Sequence, residues 1–324
     1  MAQAVLAGRA KESFDYVYGQ ERLDLLKSLT ALDEEVVTQE NFFDRDLGET
    51  RYIFSTWGMF PFTDGMFARM PRLEAVFYAA GATDKFAGAF LERGVKVVSA
   101  WRANAVPVAE FVSAQIVLAL KGYFRSARGM TDPGAWRRPR TAPGVFGETV
   151  ALIGSGSIST LVKKILANYT LDVITVESLP EKRTLSIEEA FRRGFVVSNH
   201  LFNSENNQKC LRKEHFLSMR QGAVFINTGR GQQVDEAGFI EAMRERPDLT
   251  ALLDVTWPEP PPAGSPLYTL PNVFLTPHIA GSMNDEVRRM ADCVIGDFRR
   301  FLAGEPLENE VSREMLAVQP AANK

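Results

Sequence analysis

The sequence has 324 residues, of which 45% are hydrophobic and 24% are charged, and its formal net charge is -3. This length allows two domains of ordinary size, and this composition is typical of a globular protein. Because acidic and basic residues nearly balance, there is no electrostatic reason to expect nucleic acid or an anionic membrane as a partner.

The two cysteines, Cys210 and Cys293, show neither a metal-ligand spacing nor a CxxC motif. A reduced intracellular setting is therefore the default, and we expect no metal site. The N-terminus lacks the long apolar stretch of a secretion signal, and no run of 18 apolar residues occurs in the chain. We predict a cytoplasmic protein without a membrane span.

Short apolar runs alternate with segments of helical character in the first hundred residues. The runs are AVLAG from Ala4, EVVT from Glu35, YIFST from Tyr52, AVFYAA from Ala75 and VKVVSA from Val95. This alternation predicts parallel strands with crossover helices. A long helix is predicted from about Pro107 to Arg128, since proline suits a first helical turn, and a Gly/Pro/Arg-rich loop follows it.

Six further apolar runs follow from Thr149 onward, and helical segments separate most of them. They read VALI, DVITV, FVVSN, AVFIN, ALLDV and VFLT. Six strands wound in this way predict a Rossmann-type sheet. A last helix, from about Asp285 to Leu302, would carry the chain back to the first half.

A glycine-rich turn follows the strand VALI, with Gly154 and Gly156 in the first two positions of the pattern GxGxxG. The first glycine permits a tight turn, and the second lets backbone amides approach a pyrophosphate at the helix N-terminus. The third position is Ser159 instead of glycine. The motif alone fits a structural turn or a nucleotide-binding loop, and the strand–turn–helix frame favours the loop.

The next strand, DVITV, ends at Glu177. A carboxylate at this position can accept hydrogen bonds from the adenosine ribose and would repel a 2′-phosphate, whereas the alternative is a solvated surface glutamate. Lys182 and Arg183 follow closely and could favour a phosphate instead. We predict NAD as the cofactor, in preference to NADP.

Three polar residues, Arg230, Glu259 and His278, each follow a strand of the second half by a few positions. Ligands of a doubly wound sheet bind beyond the carboxyl ends of its strands. A guanidinium can hold the carboxylate of a 2-oxo acid with two hydrogen bonds, and an imidazole can give and take the proton that accompanies hydride transfer. A carboxylate beside the imidazole would orient it. Each residue alone has an ordinary loop or structural explanation, but together they predict a dehydrogenase site.

Two other histidines and a tryptophan have weaker interpretations. His200 also follows a strand and could line a cofactor cleft, whereas His215 lies on a polar helical pattern and is predicted to be at the surface. Trp57, after YIFST, could wall a substrate pocket or pack in the core.

The segments VALIGSGSI, GAVFINTGRGQQVDE, LLDVTWPEP and NVFLTPHIAGS resemble the D-isomer-specific 2-hydroxyacid dehydrogenase family. Weaker similarity lies in AAGATD and ANAVPVAEF, so that the resemblance covers nearly the whole chain. It implies hydride transfer between NAD(H) and a small 2-hydroxy or 2-oxo acid, D stereospecificity and a homodimer. The chain departs from the family where Leu201-Phe202 replaces the usual Cys-Pro and where Ser159 and Glu177 replace Gly and Asp.

The resemblance also implies roles for single residues. Arg230 would bind the substrate carboxylate, Glu259 would pair with the histidine, and His278 would be the acid/base. The pyrophosphate would lie against Ser157 and Ile158. The nicotinamide end would be surrounded by Thr228, Gly229, Asp254, Ala280 and Gly281, together with Arg230 and His278. The substrate loop would offer backbone amides of Ala80, Gly81 and Ala82.

The whole pattern predicts an α/β protein with two doubly wound parallel-sheet domains, in which a Rossmann-type NAD-binding domain is inserted into a flavodoxin-like substrate domain. The discontinuous substrate-binding domain would take residues 1–105 and 292–324, and the Rossmann domain residues 106–291. We expect ligands to bind between the halves, with hinges near Ala105 and Ala291. Two alternatives stay open: an NAD-sensing, corepressor-like binding protein on the same fold, and a Rossmann oxidoreductase of another specificity.

Overall fold

The computed structural model describes residues 3–139 and 141–317, so that Arg140 in the predicted loop and the stretch from residue 318 lie outside the described residues. The chain divides into two compact units. The first takes the residues up to Asn104 and those from Ser282 onward, and the second is Ala105–Gly281.

The first unit is built on a five-stranded parallel sheet in the order β2-β1-β3-β4-β5. Its strands are β1 (Ala4–Ala7), β2 (Leu32–Val37), β3 (Tyr52–Ser55), β4 (Ala75–Tyr78) and β5 (Lys96–Ser99). Its first helices are α1 (Lys11–Val17), α2 (Gly19–Leu29), α3 (Asp64–Arg69) and α4 (Ala87–Glu92). The strands are short apolar runs because apolar side chains cover both faces of the sheet. The strand order reverses between β1 and β3, as in flavodoxin-like folds.

The second unit has a six-stranded parallel sheet in the order β11-β10-β9-β8-β6-β7. Helix α5 (Trp101–Leu120) leads into it. The strands are β6 (Glu148–Ile153), β7 (Leu171–Val176), β8 (Val196–Asn199), β9 (Val224–Asn227), β10 (Thr250–Leu253) and β11 (Val273–Leu275). The other helices are α6 (Tyr123–Gly129), α7 (Ser157–Leu166), α8 (Ile187–Arg193), α9 (Lys213–Leu217) and α10 (Glu236–Glu245). All eleven apolar runs form strands, and the prediction of two doubly wound parallel-sheet domains is confirmed.

The predicted helix from Pro107 to Arg128 is wrong at its start and in its continuity. Helix α5 begins six residues earlier and contains Pro107. Burial of Ala105, Pro107 and Val108 offsets the one hydrogen bond that a proline cannot donate. Gly122 then adopts a left-handed φ of 69° and separates α5 from α6.

Helix α5 is also long and apolar enough to cross a membrane. Half of its most apolar window is buried inside the protein, as is expected of a core helix. Its buried face includes Val112, Ile116 and Leu120, which pack in one of the two cores of the second unit. In the part of the chain that the structure describes, it is the one helix that meets this criterion.

The last helices, α11 (Arg288–Ala303) and α12 (Arg313–Ala317), belong to the first unit. The ring of Phe298 in α11 lies 5.0 Å from that of Phe54 and 5.1 Å from that of Phe77, within the core of this unit. The second crossing of the chain therefore falls between Gly281 and Ser282, whereas the pattern placed it near Ala291. Ala291 is buried inside α11, because the whole apolar face of this helix packs on the first sheet.

Candidate active site

The glycine-rich turn joins β6 to α7. Gly154 has a φ of 108°, and a Cβ atom there would lie 2.7 Å from the carbonyl oxygen of His200, so this position requires glycine. Gly156 faces open space and precedes Ser157 and Ile158, the first residues of α7. Amides at such a helix start have no intrahelical acceptor, and a pyrophosphate can bind them.

Ser159, the departure from the third glycine, is buried, and its hydroxyl donates a hydrogen bond of 2.6 Å to the carbonyl of Gly154. This hydrogen bond therefore joins the glycine-rich loop to the first turn of α7. Its small side chain preserves the close packing that a glycine would give.

The end of β7 presents both a carboxylate and a guanidinium. The carboxylate of Glu177 accepts a hydrogen bond from the hydroxyl of Ser155. Arg183 donates to the carbonyl of Glu177 at 3.0 Å and to that of Ser178 at 3.4 Å. Lys182 is exposed. The strand end thus offers an acceptor for ribose hydroxyls and, beside it, a cation that suits a phosphate.

The loop after β9 holds Arg230 between two glycines that have no room for a side chain. A Cβ atom on Gly231 would lie 2.0 Å from the carbonyl group of Thr256, and one on Gly229 would lie 2.8 Å from the side chain of Gln233. The guanidinium is exposed and donates one hydrogen bond of 2.8 Å to the carbonyl of Gly229. Among the described residues its other N–H groups have no acceptor, so they can bind a ligand carboxylate.

Buried side-chain amides form a hydrogen-bond network next to this loop, which the sequence motifs did not predict. Asn199 donates to Asn227 at 2.9 Å and to Gln233 at 2.6 Å, and Gln233 accepts the amide of Arg230 at 3.1 Å. Gln233 also donates to the carbonyl of Leu201 at 2.9 Å. The network ties the ends of β8 and β9 to the arginine loop. In the sequence, the feature that could have indicated this network is an asparagine at the end of both β8 and β9.

His278 and Glu259 lie within hydrogen-bond distance. Nδ1 of the imidazole is 2.6 Å from Oε1 of the carboxylate, and the side chains are 49% and 38% exposed. Because Nδ1 is occupied, Nε2 is the ring atom left for a substrate. His278 has a φ of 55°, a left-handed conformation that is uncommon for a side chain other than glycine and recurs at functional sites.

Asp254, just after β10, holds the loop that carries this histidine. Its buried carboxylate accepts hydrogen bonds from Thr276 Oγ1 at 2.6 Å and from the amides of Ile279 and Ala280, both at 2.9 Å. Its carbonyl accepts the amide of His278 at 3.1 Å. These bonds stabilise the unusual backbone of His278. Gly281 follows directly and is half-buried.

The other two histidines have different surroundings. His200 is buried at the end of β8, where burial lowers its pKa to about 3 and keeps it neutral. Neither of its ring nitrogens has a hydrogen-bond partner among the described residues. The predicted surface position of His215 is wrong. It is buried, its Nδ1 accepts the amide of Arg212 at 2.9 Å, and its ring packs 5.4 Å from that of Phe191, because α9 packs against α8.

The predicted substrate loop, Ala80, Gly81 and Ala82, follows β4 in the first unit. The hydroxyl of Ser99 donates to the carbonyls of Ala80 and Gly81 at 2.9 and 2.8 Å. The amides of Gly81 and Ala82 have no hydrogen-bond acceptor among residues 3–139 and 141–317. The amide of Ala80 donates to the carbonyl of Tyr78 at 2.8 Å, so the predicted substrate contact of this amide is wrong, and the amides of Gly81 and Ala82 remain available.

Neither cysteine resembles a reactive or metal-binding thiol. Burial raises the pKa of Cys210 and that of Cys293 to about 11, so both stay protonated near neutral pH. Within the described ranges, no group of three or more His, Cys, Asp or Glu side chains is arranged to hold a metal ion.

Comparison with known proteins gives one consistent result. The NAD-binding domain of the D-isomer specific 2-hydroxyacid dehydrogenases matches residues 114–280, just over half of the chain. The glyoxylate reductase of Thermofilum pendens is 28% identical over 243 residues, which are 71% of this chain and 71% of that protein.

Solved structures agree with this match. The TT0316 protein from Thermus thermophilus is 28% identical, has a TM-score of 0.74 and covers 95% of this chain and 100% of its own. A D-isomer specific 2-hydroxyacid dehydrogenase from Xanthobacter autotrophicus Py2, solved with NADPH and MES, shares the fold at 24% identity, with a TM-score of 0.70 over 96% of this chain and 99% of its own.

Proposed function

Since this chain belongs to the D-isomer specific 2-hydroxyacid dehydrogenase family, we propose that it reduces a small 2-oxo acid to the D-2-hydroxy acid with NADH, and catalyses the reverse reaction. Membership makes it an NAD(P)-dependent oxidoreductase; the direction, the stereochemistry and the residue roles are the proposal. The observation that carries it is the His278–Glu259 pair, which lies at the same sheet edge as the arginine loop and the glycine turn.

The residues present fit a nicotinamide dinucleotide. Gly156 leaves open space at the start of α7 for the pyrophosphate, and Ser157 and Ile158 supply amides there. Thr228, after β9, is buried, and its hydroxyl has no protein partner among the described residues. We assign Thr228, Gly229, Asp254, Ala280 and Gly281 to the nicotinamide end. The bound cofactor supplies or accepts the hydride.

The protein supplies the carboxylate grip and the proton. The guanidinium of Arg230 binds the substrate carboxylate with two parallel hydrogen bonds, which orients the carbonyl carbon. The protonated imidazole of His278 donates from Nε2 to the carbonyl oxygen as negative charge develops there. Glu259, 2.6 Å from Nδ1, stabilises the charged ring and fixes its orientation. In the oxidative direction the neutral ring accepts the hydroxyl proton.

We assign cofactor binding to the second unit, and we assign the substrate loop, with the amides of Gly81 and Ala82 as donors, to the first. The free amides of Gly81 and Ala82 support this assignment, since a substrate carboxylate or carbonyl oxygen needs such donors. We also propose that the protein is a homodimer, which rests on the family resemblance alone, and that it is cytoplasmic, which rests on its two free cysteines.

We expect the purified protein to oxidise NADH when a panel of small 2-oxo acids is supplied. The measurement is the initial rate of NADH consumption for each acid, with His278→Gln as the inactive control. NADH binding without turnover of any acid would contradict the proposed enzyme and would favour a corepressor-like NAD sensor.

We expect NADH to bind more tightly than NADPH, by about tenfold, because the carboxylate of Glu177 accepts ribose hydroxyls and repels a 2′-phosphate. Titrations of both cofactors, followed by nicotinamide fluorescence, measure this ratio. Glu177→Gln should narrow it, and Lys163→Gln, a change in the last turn of α7, should leave it unchanged. Equal or tighter binding of NADPH would show that attraction of the 2′-phosphate by Arg183 outweighs its repulsion by Glu177.

A further inference from the structure

A cavity of about 570 Å³ lies beyond the carboxyl ends of four neighbouring strands of the first unit. Its wall comes from the segments that follow β1, β2, β3 and β4. The strand order of this sheet reverses between β1 and β3, and open parallel sheets bind ligands at such a point. The volume suits a small molecule or part of one.

Arg9 occupies the middle of this wall. It follows β1, and a Cβ atom on Gly58 would lie 2.8 Å from its Cβ, so the loops after β1 and β3 pack directly on each other. Gly58 has a φ of 96° and so requires glycine there. In the described part of the chain, no carboxylate oxygen lies within 4.0 Å of the Arg9 guanidinium. The cation is therefore available to an anionic ligand.

Tyr78 contributes a hydroxyl to the same cavity from the end of β4. The residue is only 7% exposed, but its hydroxyl oxygen is accessible and makes no hydrogen bond to the described residues. Burial and the nearby Asp84 raise its pKa to about 12, so it is a proton-bearing donor at working pH. The hydroxyl is therefore open to the cavity and can donate a hydrogen bond to a ligand there.

The remaining charges around the cavity narrow the choice of ligand. Asp84 and Lys85 are adjacent on the β4 side, and Glu40 follows β2, the outermost strand. Arg9 and Lys85 thus equal the two carboxylates in number, and none of these four charges makes an ion pair within the described residues; Arg9 is the cation that follows a central strand. The two carboxylates would repel a doubly charged phosphate ester more strongly than a singly charged group, which favours a carboxylate beside Arg9.

We propose that this cavity binds the second carboxylate of a 2-oxo dicarboxylic acid, with the guanidinium of Arg9 and the hydroxyl of Tyr78 as its donors. The inference rests on the proposed function, because Ala82 belongs both to the cavity wall and to the proposed substrate loop. Within the first unit, the distal carboxylate is selected by Arg9.

The test compares 2-oxoglutarate with 2-oxopentanoate, which has the same chain length but lacks the distal carboxylate. We expect kcat/KM to favour the diacid by about tenfold or more, the scale of one charge-assisted hydrogen bond. Arg9→Gln should remove this preference and leave the rate with 2-oxopentanoate unchanged. Tyr78→Phe should reduce the preference for the diacid by about threefold, the scale of one neutral hydrogen bond. Lys11→Gln is the matched control, since Lys11 is an exposed cation paired with Asp15 outside the cavity wall.

A binding measurement separates this inference from the proposed function. Glutarate, which cannot be reduced, should raise the melting temperature of the wild type but not that of Arg9→Gln. If this protection is seen while no 2-oxo acid is turned over, the cavity assignment stands and the proposed function fails. If 2-oxo acids are reduced but Arg9→Gln affects the diacid and the monoacid equally, the cavity assignment is overturned and the function stands.

Discussion

His278→Gln should slow both reduction of a 2-oxo acid and oxidation of a 2-hydroxy acid by at least about a hundredfold, the usual contribution of a general acid–base. Hydride transfer to a ketone leaves an alkoxide unless a proton arrives with it. Glutamine retains hydrogen-bonding capacity but cannot exchange a proton near neutral pH. The measurement is kcat/KM in both directions, with NADH affinity as the control for an intact cofactor site.

The same pair predicts opposite pH profiles for the two directions. Reduction needs the protonated imidazole, so its rate should fall as the ring loses its proton, while oxidation should rise across the same range. Glu259→Gln removes the carboxylate 2.6 Å from Nδ1 that orients the ring, and kcat/KM should therefore fall in both directions. Unchanged rates in Glu259→Gln would separate Glu259 from the histidine, and near-normal rates in His278→Gln would remove His278 as the proton donor.

Arg230→Lys should lower kcat/KM for a 2-oxo acid by about a hundredfold or more, the scale of a lost charge-assisted contact in the transition state. Lysine keeps the charge but cannot form two parallel hydrogen bonds to a carboxylate. NADH affinity should change little, because Gly229, Gly231 and the amide of residue 230 hold the loop whatever its side chain.

The control for this change is Arg137→Lys, an exposed arginine outside the proposed site. It should leave both parameters at their wild-type values. An equal loss of NADH affinity and of kcat/KM in Arg230→Lys would mean that the guanidinium holds the cofactor loop instead of the substrate.

The sheets were predictable because each strand is a short apolar run covered on both faces, a pattern that depends on the run alone. The glycine turn and the residues Arg230, Glu259 and His278 were found for a related reason. Each comes shortly after a strand, and the carboxyl ends of parallel strands meet at one edge of the sheet. The local sequence is sufficient for such features.

Other features depend on which strand ends become neighbours, and no local pattern encodes this. Asn199 meets Gln233 across 34 positions, and Asp254 meets Ala280 across 26. The same limit explains why the burial of His215 was not predicted. Its helix, α9, has a polar pattern but packs against α8. The second crossing was placed about ten residues late, because a continuous amphipathic helix gives no sign of which core receives its apolar face.

The bonds between Asp254 and the loop after β11 have a consequence for protein redesign. The histidine is oriented by an aspartate 24 positions earlier, by Thr276 and by two backbone amides, which together stabilise its left-handed backbone. A histidine copied alone onto another parallel sheet would adopt ordinary right-handed backbone angles and point elsewhere. The transferable part is therefore the whole set, Asp254 and the segment 276–280, which would have to be moved together across two adjacent strands.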